Sequence, residues 1–164
     1  MRLGTADDIG AALSVYERSN LARRRGDWPN RGSRMAQVGD RLRDPETWYL
    51  VAEEGGSALA MAAAQPLRAD EGKGPVTPGA LFLNLLFVVP ECWGQGIGGV
   101  LLDAVIDEAA RRGYTSMQLW TDEADNGRAH RLYRRHGLAP SGRRRLHEGV
   151  LIGEWITRLP PTPG

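Results

Sequence analysis

"PECWGQGIGG" occupies residues 90–99, directly after the apolar run "LFLNLLFVV" at 81–89. Gly94, Gly96, Gly98 and Gly99 crowd into this stretch. Each glycine adds an entropic cost to folding, because it has the most backbone freedom to lose. A plain strand-to-helix connector has no use for so many. Bare backbone ahead of a helix suits an anion: the first N–H groups of a helix lack intrahelical partners and carry a partial positive charge. Glycines there let a pyrophosphate approach the main chain. The stretch therefore points to a strand, a phosphate-binding turn and a helix.

On its upstream side, "ALFLNLLFVV" at 80–89 is apolar almost throughout, the pattern of a central strand covered on both faces. On its downstream side, Ile97, Leu101, Ala104, Val105 and Ala109 fall at helical spacing and predict a helix from Ile97 to Arg112. Arg111 and Arg112 suit its negative end, and Gly113 follows as a stop. "TSMQLWT" at 115–121 reads as the next strand. A strand–helix–strand crossover makes the two strands parallel. Asn126 opens a short helix with Ala129, Leu132 and Tyr133 on one face and Gly137 as its stop. Residues 138–159 read as a hairpin turning near Glu148-Gly149, and 160–164 as a loose Pro-rich tail.

The first half adds helices and a hairpin. Thr5 and Asp8 form a partial capping box. Ile9, Ala12, Leu13 and Tyr16 then mark an amphipathic helix over 6–19. "RRRGDWPNRG" at 23–32 is a basic loop. Ser33 caps a second helix with Met35, Val38 and Leu42 inward, stopped by Asp44-Pro45. Strands at 47–53 and 57–66 flank a Glu-Gly-Gly turn. The alanines of the second strand favour helix by propensity, but the turn before them and Pro66 after them favour strand. Residues 69–79, "ADEGKGPVTPG", have the composition of a mobile loop. With no internal repeat and no linker, the expectation is one α/β (α+β) domain over residues 1–159.

The chain has 164 residues, 41% hydrophobic and 25% charged, with a formal net charge of +1. That balance gives no general pull toward nucleic acid or an anionic membrane. Cys92 is the single cysteine, so no internal disulfide forms. The N-terminus lacks a signal-peptide h-region, and no apolar run matches a membrane span. A cytoplasmic location is the expectation.

Gly94-x-Gly96-x-x-Gly99 also fits the dinucleotide pattern, with Asp122 at about the right distance downstream. Two features weaken this alternative. Residues Pro90 to Trp93 separate strand from glycines, and there is only one crossover. A P-loop fails because no Lys-Ser or Lys-Thr follows. Cys92 has no evident activating base. His130 and His136 alternate with arginines and read as surface. No Cys/His/Asp/Glu cluster has metal-ligand spacing, so no metal is expected. The arginine runs at 23–25 and 143–145 read as solvated, with some available to cofactor phosphates.

Two segments then fall in register with one family. "LFVVPECWGQGIGGVLLDAVIDEAARRGY" (86–114) resembles the cofactor segment of the GNAT superfamily of acyl-CoA-dependent N-acyltransferases, whose pattern is Gln/Arg-x-x-Gly-x-Gly/Ala. Gly96 and Gly98 fill the glycine places, and Trp93 stands where Gln or Arg is usual. "LWTDEADNGRAHRLYRRHGL" (119–138) matches the family's Asn-x-x-Ala-x-x-Leu-Tyr-x-x-x-Gly through Asn126, Ala129, Leu132, Tyr133 and Gly137, with apolar Leu138 after it. The resemblance implies a mixed, mostly antiparallel sheet, flanked by helices, with a parallel splayed pair of strands in its middle.

It also implies acetyl-CoA as cosubstrate and a primary amine, small-molecule or peptide, as acceptor. The pyrophosphate would sit on the amides of Gly94, Gln95, Gly96, Ile97, Gly98 and Gly99. The pantetheine arm would pair with backbone at Leu86, Phe87 and Val88, and touch Asn126. The Val88 N–H would support the developing oxyanion. Tyr133 is the candidate general acid for the leaving thiolate. Asn84 takes an inward place on the central strand; an amide there orients water but does not act as a base. No general base is assigned. A non-catalytic acyl-CoA-binding module is the rival reading, and homodimers are frequent in the family.

Overall fold

The computed structural model describes residues 1–124 and 127–161. In chain order these form β1 (Arg2–Leu3), α1 (Ile9–Arg23), α2 (Arg31–Arg43), β2 (Trp48–Glu54), β3 (Ser57–Arg68), β4 (Val76–Val88), α3 (Ile97–Arg111), β5 (Ser116–Asp122), α4 (Gly127–Arg135), β6 (Ala139–His147) and β7 (Val150–Arg158). The sheet order is β1-β2-β3-β4-β5-β7-β6. The β4–β5 pair is parallel, whereas β1–β2, β2–β3, β5–β7 and β6–β7 are antiparallel. The mixed, mostly antiparallel sheet is thus the one the family resemblance implied, and its parallel pair is the one the strand–helix–strand crossover predicted. Contacts divide the chain into two compact units, Met1–Ala64 with Leu85–Val105, and Gln65–Asn84 with Ile106 onward.

In the first unit, Ile9, Ala12, Val15 and Tyr16 of α1 and Val38 and Leu42 of α2 bury against Val51, Met61, Ala63, Leu85 and Val89. Aromatic edges tie this core: the Tyr16 ring stands 5.6 Å from Trp28 and 5.1 Å from Phe87, both edge-on. The run Ala60 to Ala64 is strand, at most 1% exposed at every position. Neighbours cover it on both sides, and that packing overrides helical propensity. The N-terminal box is present: Thr5 N–H donates to Asp8 Oδ2 at 2.7 Å, and Arg2 holds the same carboxylate with two N–H groups at 2.8 Å each.

In the second unit, β5 pairs with β7 from Ser116↔Arg158 to Asp122↔Ile152. The β6–β7 hairpin turns through Glu148 and Gly149, whose φ angles of 51° and 79° are both left-handed, the conformation a two-residue hairpin turn requires. Met117, Leu119, Leu138, Trp155 and Leu159 are buried. Near the C-terminal end of α3, buried Glu108 takes both Arg111 and Arg112 as ion-pair partners.

Several boundaries differ from expectation for local reasons. A single 3₁₀ turn, Ala6–Asp8, precedes α1, and α1 itself runs on to Arg23. The helix α2 starts at Arg31 rather than after Ser33, whose hydroxyl donates back to the Asn30 carbonyl at 3.0 Å from inside the first turn. β4 begins at Val76, so strand takes over the last residues of the expected loop. That loop shortens to a 3₁₀ turn, Asp70–Gly72, closed by Gly74 N–H to the Ala69 carbonyl at 2.8 Å.

Candidate functional site

Beyond β4, a 3₁₀ turn at Pro90–Cys92 reverses the chain: Cys92 N–H donates to the Val89 carbonyl at 3.0 Å and Trp93 N–H to Pro90 at 3.1 Å. Gly94 and Gly96 follow with φ of 79° and 82°, a region that side-chain-bearing residues avoid. A Cβ placed on either glycine meets no atom within 4 Å. The turn is therefore open on that side, and its glycines are required by conformation rather than by crowding. Val100 N–H donates to the Gly96 carbonyl at 3.2 Å as α3 begins. The preceding amides, at Ile97, Gly98 and Gly99, belong to the first turn, whose N–H groups have no intrahelical acceptor. Bare backbone, open space and a helix N-terminus fit a diphosphate.

The side chains around this turn are anchored elsewhere. Arg18 of α1 pairs with Glu91, and Glu91's carboxyl lies below its ordinary range because its own backbone N–H and Arg18 both favour the charged form. Gln95 Nε2 donates to the Glu91 carbonyl at 3.2 Å. Cys92 is half-buried against the hydrophobic core of this unit, a packing role rather than an exposed nucleophile's.

The strand edge leading into the turn has a definite polarity. Val89 N–H donates to the Leu59 carbonyl of β3 at 2.9 Å. Backbone groups alternate along a strand, so the N–H and C=O of Val88 face the opposite edge, and those of Leu86 do likewise. The Trp93 indole Nε1 donates to the Val88 carbonyl at 2.7 Å. The parallel register of β4 with β5 ends at Phe82↔Gln118, while β4 runs on to Val88. Leu86, Phe87 and Val88 are each half-buried.

In the second unit, Tyr133 lies on α4 at 8% exposure, its ring 5.8 Å from Trp155. Asn84, on β4, is half-buried, and its Nδ2 is buried with no hydrogen-bond partner among the described residues. Asn84 lies two positions beyond Phe82, on the face that Phe82 shares with its register partner Gln118. Trp120 and its partner Glu154 lie on the same face. Asn126, expected to touch the pantetheine arm, falls outside the described residues.

A buried polar group on this face went unread in the sequence. Glu154, 4% exposed, accepts from Ser141 Oγ at 2.7 Å, from Arg143 at 3.1 Å and from the Gln118 amide. The arginine run is correspondingly not free: Arg144 pairs with Glu123 at 3.3 Å and Arg145 with Glu71 at 3.2 Å. Arg143 and Arg145 also lie over the Trp120 ring, at 5.9 and 4.6 Å. His130 is no simple surface residue either; it stacks on Trp155 at 5.0 Å, with Nε2 3.1 Å from the Asp122 carbonyl. No signal in the sequence marks these partners, because strand register brings them together.

Among the described residues no group of three or more His, Cys, Asp and Glu side chains could hold a metal ion, and no helix is long and apolar enough to cross a membrane.

Comparison with known proteins bears on the family and the fold. The chain is 34% identical over 97 residues to the uncharacterized N-acetyltransferase YhfO of Bacillus subtilis, a match covering 59% of this chain and 62% of that relative's length. Its fold is shared by the ribosomal-protein-S18-alanine N-acetyltransferase of Escherichia coli, with a TM-score of 0.73 at 20% identity over 99% of this chain and 96% of that one. It is shared too by the yncA protein of Salmonella typhimurium, solved with its cofactor acetyl-CoA, with a TM-score of 0.71 at 21% identity over 99% and 95% of the two chains. The family model for the acetyltransferase (GNAT) family matches residues 13–138, and the chain belongs to that family.

Proposed function

We propose that the protein is an N-acetyltransferase that moves the acetyl group of acetyl-CoA to a primary amine by direct attack, with both substrates bound together. The observation that carries this reading is the turn at Gly94 and Gly96, left-handed and open, between the end of β4, which runs beyond its register with β5, and the start of α3. The amides of residues 94–99 hold the diphosphate, and the outward-facing backbone groups of Leu86 and Val88 pair with the amide-rich arm as an added strand would, whereas those of Phe87, between them, turn toward β3.

When bound, acetyl-CoA supplies an acyl thioester whose carbon–sulfur bond breaks as the carbon–nitrogen bond forms. The Val88 N–H donates to the developing oxyanion, a role worth about 3–4 kcal/mol of barrier in acyl transfer. The Tyr133 hydroxyl gives its proton to the departing sulfur, and the proton shed by the amine nitrogen restores the phenol through solvent. Asn84 orients a water near the amine through its amide. Amine and thioester become N-acetyl amine and free thiol, and no further reactant is needed.

Thiol release from acetyl-CoA, measured against a panel of amino acids, polyamines, aminoglycosides and peptides, tests this reading. Amine-dependent release is expected. Tight coenzyme A binding with no release for any amine would instead favour a non-catalytic acyl-CoA-binding module.

A further inference from the structure

The bond from the Trp93 indole to the Val88 carbonyl falls on a backbone group that the proposed function needs. That carbonyl faces the edge of β4 turned away from β3, where an amide-rich arm would pair. The indole Nε1 already stands 2.7 Å from it. Its placement follows from the local backbone. Trp93 is extended, with φ of −63° and ψ of 143°, its N–H is fixed on Pro90, and Glu91 in the same turn is held by Arg18 of α1. The side chain is 36% exposed, so it can swing away without opening a core.

We propose that Trp93 is an internal cap that the cofactor arm displaces. In the free protein the indole N–H occupies the Val88 carbonyl, and on binding an amide N–H of the arm takes its place. The inference rests on the acetyl-CoA reading above. The cap satisfies a backbone acceptor on the stretch of β4 that runs beyond its register with β5. It also makes the arm, and not the nucleotide end, compete with a side chain of the protein. The competition weakens binding by the net worth of one hydrogen bond. At ~0.5–1.5 kcal/mol, with 1.4 kcal/mol per decade, that is about 2- to 12-fold.

The test is calorimetric titration of wild-type protein and Trp93→Phe with two probes. Coenzyme A carries the arm, and adenosine 3′,5′-bisphosphate lacks it. The expected result is coenzyme A binding about 2- to 12-fold tighter in the variant, with bisphosphate affinity unchanged. A second measurement uses the wild-type chain alone: the Trp93 indole N–H resonance, identified by its loss in the variant, shifts on saturation with coenzyme A and not with the bisphosphate. Unchanged or weaker coenzyme A binding by Trp93→Phe overturns the cap, as does an indole resonance that coenzyme A does not move. Parallel weakening of both probes would make Trp93 a support of the turn that binds the nucleotide's 5′-phosphate and likewise overturns it. Failure of the wild-type protein to bind coenzyme A at all refutes the acetyl-CoA reading itself, and the cap with it.

Discussion

The Tyr133 ring stands edge-on to the Trp155 indole, with centroids 5.8 Å apart and planes inclined by 61°. This contact fixes a side chain that also carries the proposed proton-donor role, and the two roles separate by mutation. Tyr133→Phe keeps the ring and loses the hydroxyl. Its melting temperature and coenzyme A affinity should stay near wild type, while kcat falls by about 10²-fold or more, the usual worth of a positioned acid. Tyr133→Ala removes the ring as well and should lower unfolding free energy by about 3–5 kcal/mol. Steady-state kinetics and denaturant melts check the pair; unchanged kcat in Tyr133→Phe would remove the phenol from the mechanism.

Gly96 adopts φ of 82° with open space where a Cβ would stand. Gly96→Ala therefore meets backbone strain and no clash. The strain of a left-handed residue is about 1–2 kcal/mol, or about 2–8 °C in melting temperature for a chain of this length. The added methyl projects into the proposed cradle, so coenzyme A affinity should fall by about tenfold or more, a 1.4 kcal/mol decade. Thermal melts with and without coenzyme A separate the two effects, because ligand stabilisation depends on affinity.

Glu154 is the shared acceptor of Gln118, Ser141 and Arg143. Glu154→Ala strands the buried Gln118 amide, whereas Arg143, with its side chain 72% exposed, turns to water. The cost should be that of one buried unsatisfied group, about 1–3 kcal/mol. Glu154→Gln retains acceptor oxygen and should cost less. Urea denaturation of both variants provides the comparison.

The Asp8 carboxyl is held well below the usual carboxylate range, first by its hydrogen bonds to Arg2 and then by the Thr5 backbone N–H. A folded-state value below the unfolded one gives stability that is present above the unfolded pKa. It is lost as pH falls through the ordinary carboxylate range toward the folded value. Arg2→Met should leave a flatter dependence of melting temperature on pH below about 4, with the difference from wild type shrinking as Asp8 protonates in both. Melts from neutral to acid pH measure it; identical acid profiles would contradict the assignment.

The readable parts of this protein are those whose signals are local. The apolar run, the glycines and the stripe from Ile97 specified strand, turn and helix within one stretch, and Glu148-Gly149 specified its hairpin. The alanine strand was legible because the preceding turn and Pro66 outweighed propensity. Boundaries were less so. Ser33 looks like a cap, but a helix beginning two residues earlier leaves its hydroxyl bonding back to Asn30. The two-residue β1 is too short to show a period. Candidate-site residues on the glycine turn were named from the spacing of the glycines, and those on β4 from the family resemblance. The Glu154 group depends on register across β5, β7 and β6, and no single segment shows it. Trp93 was visible as a departure from the family pattern, but its bond to Val88 depends on the 3₁₀ turn between them.

The central claim is that bare amides ahead of α3 grip the diphosphate of acetyl-CoA. A crystal structure of the protein with coenzyme A tests it most directly. Diphosphate oxygens are expected within hydrogen-bonding distance of the backbone N–H groups of residues 94–99, with the attached arm along β4 at Leu86 to Val88. Density for the diphosphate on any other part of the protein, with this turn clear of it, would contradict the account.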